Sequence, residues 1–318
     1  MNQSTIAAQA DEEDSSPLAL PDDLDFKLPF FAYGAFKPNE LAFSQVKDFL
    51  DLTHKPEAAY ANGQLSVRDG LPLFEAQKEG FNSASTKGFI LTFRPEACKQ
   101  AYETICDFEP KAIYYWQDTP ARLKDTKKLA NILIGKQMKK GNPCRLEESE
   151  WSFRKDPVFD YGLGTVKETQ DSLQKEYEDA ISRGEDGFNW SRFFKMQMAY
   201  LLLWSAIERF ASFAYGPRLA PMEKVRRLGN DPLFLNALER IAPVSDRIVS
   251  DSRDPGKRKS LNRAGANNAA LFYYQVRCNL SHRGKGAWSD GDMVRNSLTE
   301  LFAIFEEMLE KLRGGSAD

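Results

Sequence analysis

Apolar residues along the chain follow two rhythms, and the change falls near residue 150. Before it, short apolar runs are separated by Gly, Pro and polar clusters, which is the pattern of strands joined by turns. Leu28 to Tyr33 (LPFFAY) stops at Gly34, predicting a buried strand that ends in a tight turn. Leu41, Val46, Phe49 and Leu50 are spaced as on a helix over Leu41 to Leu52. Strands are predicted over Ala58 to Asn62, Gln64 to Val67, Gly88 to Phe93, Ile113 to Trp116 and Leu129 to Ile134. Pro95 suits the first turn of a helix running through Ala101, Tyr102 and Ile105. Together these describe a mixed α/β domain, a small barrel-like sheet with one or two helices.

After Pro157 every apolar segment has helical spacing. Helices are predicted near Val166 to Ser182, Trp190 to Tyr215, Met222 to Leu228 and Pro232 to Ile241, then over about Asn267 to His282 and Gly291 to Leu312. The last is the clearest: Leu298, Leu301, Phe302, Phe305, Met308 and Leu309 share one face, with Glu300, Glu306, Glu307 and Glu310 on others. The polar, basic segment 250–267 reads as an exposed loop. There is no internal repeat.

A chain of 318 residues is too long for one comfortable core, so two domains are expected, over residues 26–160 and 165–313. Residues 1–25, acidic and rich in Ser, Asp and Pro, read as a disordered tail. The formal charge of -3 excludes blanket nucleic-acid binding but leaves room for a local basic patch. Cys98, Cys106, Cys144 and Cys278 show no paired short spacing, and the two histidines lie far apart, so no metal, cofactor or disulfide framework is expected. The polar N-terminus lacks an apolar export segment. The apolar stretch Met196 to Ile207 is far shorter than the roughly 20 residues a membrane span needs. The expectation is a reduced, cytoplasmic protein with no membrane partner.

Two stretches carry candidate chemistry. FFAYGAFKPNE (Phe30 to Glu40) runs an apolar strand into a glycine turn, whose successive N–H groups can converge on an anion or carbonyl oxygen. This segment resembles the opening of the gamma-glutamylcyclotransferase-like family. ICDFEPKAIYYW (Ile105 to Trp116) is similar to that family's carboxylate-bearing stretch, and the resemblance covers about residues 28–160. It implies that Glu109 is the general base, that Tyr114 is the neighbouring aromatic, and that Tyr33, Gly34, Ala35 and Phe36 form the substrate turn. The implied reaction needs no metal. The base takes a proton from an α-amine, which attacks the γ-carbonyl of the same γ-glutamyl molecule and releases 5-oxoproline. The sequence departs from the family at Ala35, where Ser or Thr is usual, at Phe36 (usually Leu) and at Asn39 (usually Gly).

The second stretch is LFYYQVRCNLSHRGKGAW (Leu271 to Trp288), on a candidate helix before one more long amphipathic helix. With MAYLLLWSAIERFASFAYG (Met198 to Gly216) it resembles HEPN domains, all-α bundles marked by Arg, four to six residues, then His; the likeness covers about residues 165–312. It implies a metal-independent ribonuclease in which His282 deprotonates a ribose 2′-hydroxyl and Arg277 neutralises the transition state. Asn279, Arg283 and Lys285 then serve as substrate contacts, the 250–267 loop more weakly, and Glu208 as an acid orienting Arg277 or His282. Positions five apart on a helix diverge by about 140°, so either the long arginine bends back or two subunits pair their motifs across a dimer axis; the resemblance implies the second, a homodimer through the helical domain. Cys278 stands where Asn, Asp or His is usual after the arginine. His54 reads as a surface residue.

The sequence therefore predicts an α/β gamma-glutamylcyclotransferase-like barrel followed by an all-α HEPN-like bundle. The leading expectation is a homodimeric endoribonuclease with RNA as partner, coupled to the first domain in a stress or defence setting. The alternatives are a cyclotransferase acting on a γ-glutamyl small molecule, with the helices for dimerisation, and a non-catalytic sensor or adaptor.

Overall fold

A computed structural model describes residues 16–68, 70–77, 84–136, 144–185, 189–241, 246–261, 268–283 and 291–314. The chain forms two compact units, divided after Trp151, with Gly34–Gln45 and the pair Gly70–Leu71 grouped with the second.

The first unit is a closed barrel. Its strands are β1 (Phe30–Ala32), β2 (Glu57–Arg68), β3 (Leu71–Ala76), β4 (Ser85–Leu91), β5 (Tyr114–Arg122), β6 (Lys127–Gly135) and the two-residue β7 (Cys144–Arg145). The path β2-β4-β1-β6-β5 closes where β5 pairs back onto β2, while β3 and β7 add to the outer length of β2. Closure removes the free edges that an open sheet would expose. The β1 pairings are antiparallel to β4 and parallel to β6, so this short, wholly buried strand is hydrogen-bonded on both sides. Phe31, Ala59, Ala61, Ala121, Ala130 and Ile132 fill the interior, where small residues on β2 and β6 leave room for the larger rings.

Gly63 does not break the strand, as the split prediction around it supposed. It lies inside the 12-residue β2. A Cβ there would sit 2.3 Å from Cζ of Phe74 and 2.6 Å from the Glu75 carbonyl oxygen. Glycine is thus selected by the close approach of β3. Gly63→Ala is expected to destabilise the barrel by about 1–3 kcal/mol, read as a lower denaturant midpoint at unchanged slope.

Two helical pieces belong to the N-terminal part of the chain, α1 (Phe43–Val46), continued by a 3-10 turn at Lys47–Phe49, and α2 (Cys98–Phe108). The predicted helix over Leu41 to Leu52 is therefore only about half helical. Of the tail expected over residues 1–25, residues 1–15 lie outside the described residues, and the described part begins against the barrel at residue 16. Leu18 is buried, its N–H bonds the Glu109 carbonyl at 3.0 Å, and Pro17 bridges Pro110. One apolar side chain and two backbone hydrogen bonds (Lys111 N–H to the Ser16 carbonyl is the other) fix it against the acidic composition.

The second unit is helical: α3 (Leu163–Ser182), α4 (Trp190–Tyr215), α5 (Pro221–Asn230), α6 (Pro232–Ile241), α7 (Ala269–Arg283) and α8 (Gly291–Gly314). Asn189 caps α4, its Oδ1 accepting from the N–H groups of Ser191 and Arg192. Pro221 opens α5 at its first turn. The predicted face of α8 is buried from Leu298 through Leu309, packing on α4 and α6. Of its glutamates, Glu306 and Glu310 are exposed, while Glu300 and Glu307 are half-buried. Glu300 accepts from the Tyr273 hydroxyl at 3.0 Å and pairs with Arg247, and Glu307 pairs with Arg240.

Part of the segment expected to be a loop over 250–267 is a β-hairpin, β8 (Arg247–Ser250) with β9 (Arg258–Leu261). Val249 and Leu261 are its buried residues, two apolar anchors in an otherwise polar stretch. Among the described residues no helix is long and apolar enough to cross a membrane.

Candidate functional site

In the barrel unit the candidate site is built where α2 ends. Its last turn closes with the Glu109 N–H bonding the Ile105 carbonyl at 3.1 Å, after which Glu109 adopts an extended backbone. The strip at residues 16–18 then runs alongside residues 109–111 and holds them by the bonds already described. Glu109 is partly exposed as a residue, yet its carboxyl is desolvated, and burial pushes its pKa up to about 8. Among the described residues no cation forms an ion pair with it. Hydrogen bonding to a carboxylate or an adjacent cation would have lowered the value, so desolvation stands unopposed.

Tyr33 shares this environment. Burial raises its phenol pKa well above the ordinary value, and the charge of Glu109 raises it further. Its hydroxyl donates to the Leu133 carbonyl at 2.7 Å and its ring meets Phe74 at 5.5 Å between centroids. Tyr114 is buried too, donating to the Pro72 carbonyl at 2.8 Å. Both phenols therefore spend their protons on backbone carbonyls, of Leu133 and Pro72. In this arrangement Glu109 is the group that can gain or lose a proton near neutrality.

Gly34, Ala35 and Phe36 group with the helical unit. The Gly34 carbonyl accepts from the Lys37 N–H at 3.1 Å, and the Ala35 carbonyl from the Ala42 N–H at 3.0 Å, so the segment folds back on itself. Ala35 and Phe36 are buried. Glu40 accepts the Phe153 N–H at 2.9 Å, and the Gln45 amide bonds the Ala214 carbonyl at the end of α4. Lys37 is buried against Glu40 at 4.0 Å, an internal charge pair that the residue pattern did not single out.

In the helical unit Arg277 lies on α7 and pairs with Glu208 of α4 at 3.3 Å, its guanidinium 5.7 Å from the Tyr274 ring centre. The acid suggested as its orienting partner is the one it meets. Asn279 is fully engaged elsewhere: its Oδ1 accepts from the Ser252 N–H at 3.0 Å and the Gln275 amide at 3.0 Å, and its Nδ2 donates to the Ser250 carbonyl at 2.8 Å. It clasps the β8–β9 hairpin to α7. The side chains of His282 and Arg283, and Lys285 altogether, lie outside the described residues. His54 is exposed beside Asp51, whose carboxyl is held down to about 2 by hydrogen bonds from Thr53 and then from the imidazole.

The site search by residue type missed Asp156. It is 1% exposed, pairs with Arg209 at 2.7 Å, and its other oxygen accepts the Val158 N–H at 3.0 Å. The motif signal was absent because the partners are 53 residues apart.

No protein-family model matches the chain, and no curated protein matches it. Among solved structures the chain is similar to YkqA from Bacillus subtilis, at 14% identity and a TM-score of 0.28, over 39% of this chain and 39% of that one. A likeness this faint carries no argument.

Proposed function

We propose that the barrel unit is a small-molecule enzyme in which Glu109 is the general base, with γ-glutamyl cyclotransfer as the reaction class. One observation carries this reading: a carboxyl that pairs with no cation among the described residues, desolvated at a helix end, whose pKa of about 8 suits proton transfer near neutrality. A carboxylate of ordinary acidity is a poor acceptor for a proton from an ammonium group, and raising its basicity reduces that mismatch. Ionised Glu109 takes one proton from the substrate's α-ammonium. The freed amine attacks the γ-carbonyl, forming the C–N bond of 5-oxoproline; the proton held by Glu109 and the second proton of the attacking nitrogen both pass to the departing amine, which leaves as an ammonium as the original γ-amide C–N bond breaks and Glu109 is ionised again. Electrons and protons balance with no added reagent. The resemblance of the Phe30 to Glu40 and Ile105 to Trp116 segments supports the same assignment.

The test is release of 5-oxoproline from a panel of γ-glutamyl dipeptides and amines, assayed with and without chelator. Product at equal rates in both is expected. Absence of product across the panel refutes the enzyme reading and leaves a binding role.

A second reading rests on the Arg277–Glu208 pair, which holds a guanidinium on the helix that carries His282 at its C-terminal end. In it the helical unit is a homodimeric ribonuclease, with His282 as base and Arg277 as the charge-neutralising group. RNA, but not matched DNA, is then cut without metal. Arg277→Ala and His282→Ala should each remove the cleavage, and Glu208→Gln should weaken it. RNA cleavage that survives in His282→Ala overturns this reading.

A further inference from the structure

The helical unit contains a cavity of about 380 Å³ between α3, the first turns of α4 and the first turns of α8. That volume is within the range of small-molecule sites. Its floor is apolar, from the buried Leu173 and Leu298 with Met196 beside them. One wall is the Arg295 guanidinium, stacked 4.2 Å over the Tyr177 ring and held by Asp292 at 3.0 Å. Amide side chains complete the lining. Gln170 donates to the Thr299 hydroxyl at 3.0 Å, which fixes the plane of its amide and leaves its carbonyl oxygen as an acceptor, and Gln174 lies one turn further along α3.

The charges in this lining cancel locally. Among the described lining residues Arg192 and Arg295 are matched by Asp171 and Asp292, with Arg295 meeting Asp292 at 3.0 Å and Arg192 meeting Glu176 at 3.9 Å, so these residues carry no excess of positive charge with which to hold a phosphate. What remains is an apolar floor, a flat cationic–aromatic wall and amide groups at the edge. A neutral, planar heteroaromatic ring satisfies all three: its faces suit the floor and the stack, and its edge suits the amides. Glutamine offers a donor and an acceptor side by side, which complements the N6/N7 edge of adenine. The two acceptors on a guanine edge call for a guanidinium, and Arg295 is already committed to Asp292 and Tyr177.

We propose that this cavity binds an adenine base, carried either by a free nucleoside or nucleotide or by a single-stranded RNA. The site is separate from Glu109 and from Arg277, and neither reading above depends on it.

Isothermal titration of the full-length protein with adenosine, AMP, guanosine and a short oligoadenylate RNA tests the proposal. Adenosine should bind, AMP should bind within about threefold of adenosine, and guanosine should be weaker by about tenfold or more. Tyr177→Ala should weaken adenosine binding by about tenfold. Gln170→Ala, a milder change at the half-buried rim of the cavity that removes only an exposed hydrogen bond to Thr299, should do so with little change in melting temperature, which separates lost binding from lost folding. Oligoadenylate binding about tenfold tighter than AMP assigns the base to RNA, and equal affinity assigns it to free nucleotides. No heat with adenosine at millimolar concentration overturns the proposal, and so does equal affinity for guanosine. Either result leaves the Arg295–Tyr177 stack as a clasp between α3 and α8.

Discussion

Glu109→Gln is expected to reduce 5-oxoproline release by about 10²–10⁴-fold, the usual contribution of a positioned general base. Glutamine keeps the shape of the side chain and cannot accept the proton. The wild-type rate should depend on pH in one direction. Only ionised Glu109 is competent, so with a pKa of about 8 the rate climbs through neutrality, about tenfold per unit on the acid side, and levels above 8. Stability should move the opposite way. The folded state keeps the Glu109 proton to a higher pH than the unfolded chain does, so this contribution is complete below the ordinary value of 4.5. It is lost as pH rises from there through about 8, then stays constant. Denaturant titrations at pH 5 and pH 9 should show a wild-type loss of about 1–4 kcal/mol that Glu109→Gln lacks. A pH-independent difference between the two proteins would contradict the assigned pKa.

Asp156→Ala should strongly destabilise the helical unit. The carboxylate is buried, and removing it takes the Asp156 Oδ2 acceptor from the Arg209 Nε–H and leaves the Val158 N–H without its Asp156 Oδ1 acceptor. Breaking such a pair from one side costs about 3–5 kcal/mol, a fall in melting temperature on the order of 10 °C. Asp156→Asn retains an acceptor for Val158 and should cost less. Gly70 faces the same carboxylate with φ +78°, and a Cβ there would sit 2.5 Å from it. Gly70→Ala should therefore destabilise through both strain and crowding. An Asp156→Ala loss under about 1 kcal/mol would show that Arg209 finds solvent or another acceptor at little cost.

The helices were legible because their packing is written in local spacing. The predicted bounds of α4 and α6 coincide with those observed, and the buried face of α8 was read residue by residue. Strands were read less well, since their partners are distant in sequence. Pro72 argues against a strand, yet β3 accommodates it, and its carbonyl receives the Tyr114 hydroxyl. The β8–β9 hairpin was hidden by basic composition, with only Val249 and Leu261 as inward anchors. Glu109 was singled out from the segment around it, but its desolvation was not legible. The strip that pairs with its backbone, residues 16–18, lies about 90 positions earlier, in a stretch whose composition reads as disordered. The Glu208–Arg277 pair was anticipated only as an option, since spacing on two separate helices does not reveal which faces meet.

The proposed chemistry requires one carboxyl to titrate far from the rest, and carbon-13 NMR of protein labelled at the glutamate side-chain carboxyl observes it directly. Comparison with Glu109→Gln identifies the resonance. The account predicts a single carboxyl with a midpoint near 8, absent from the variant, while a Glu109 midpoint near 4.5 would contradict it.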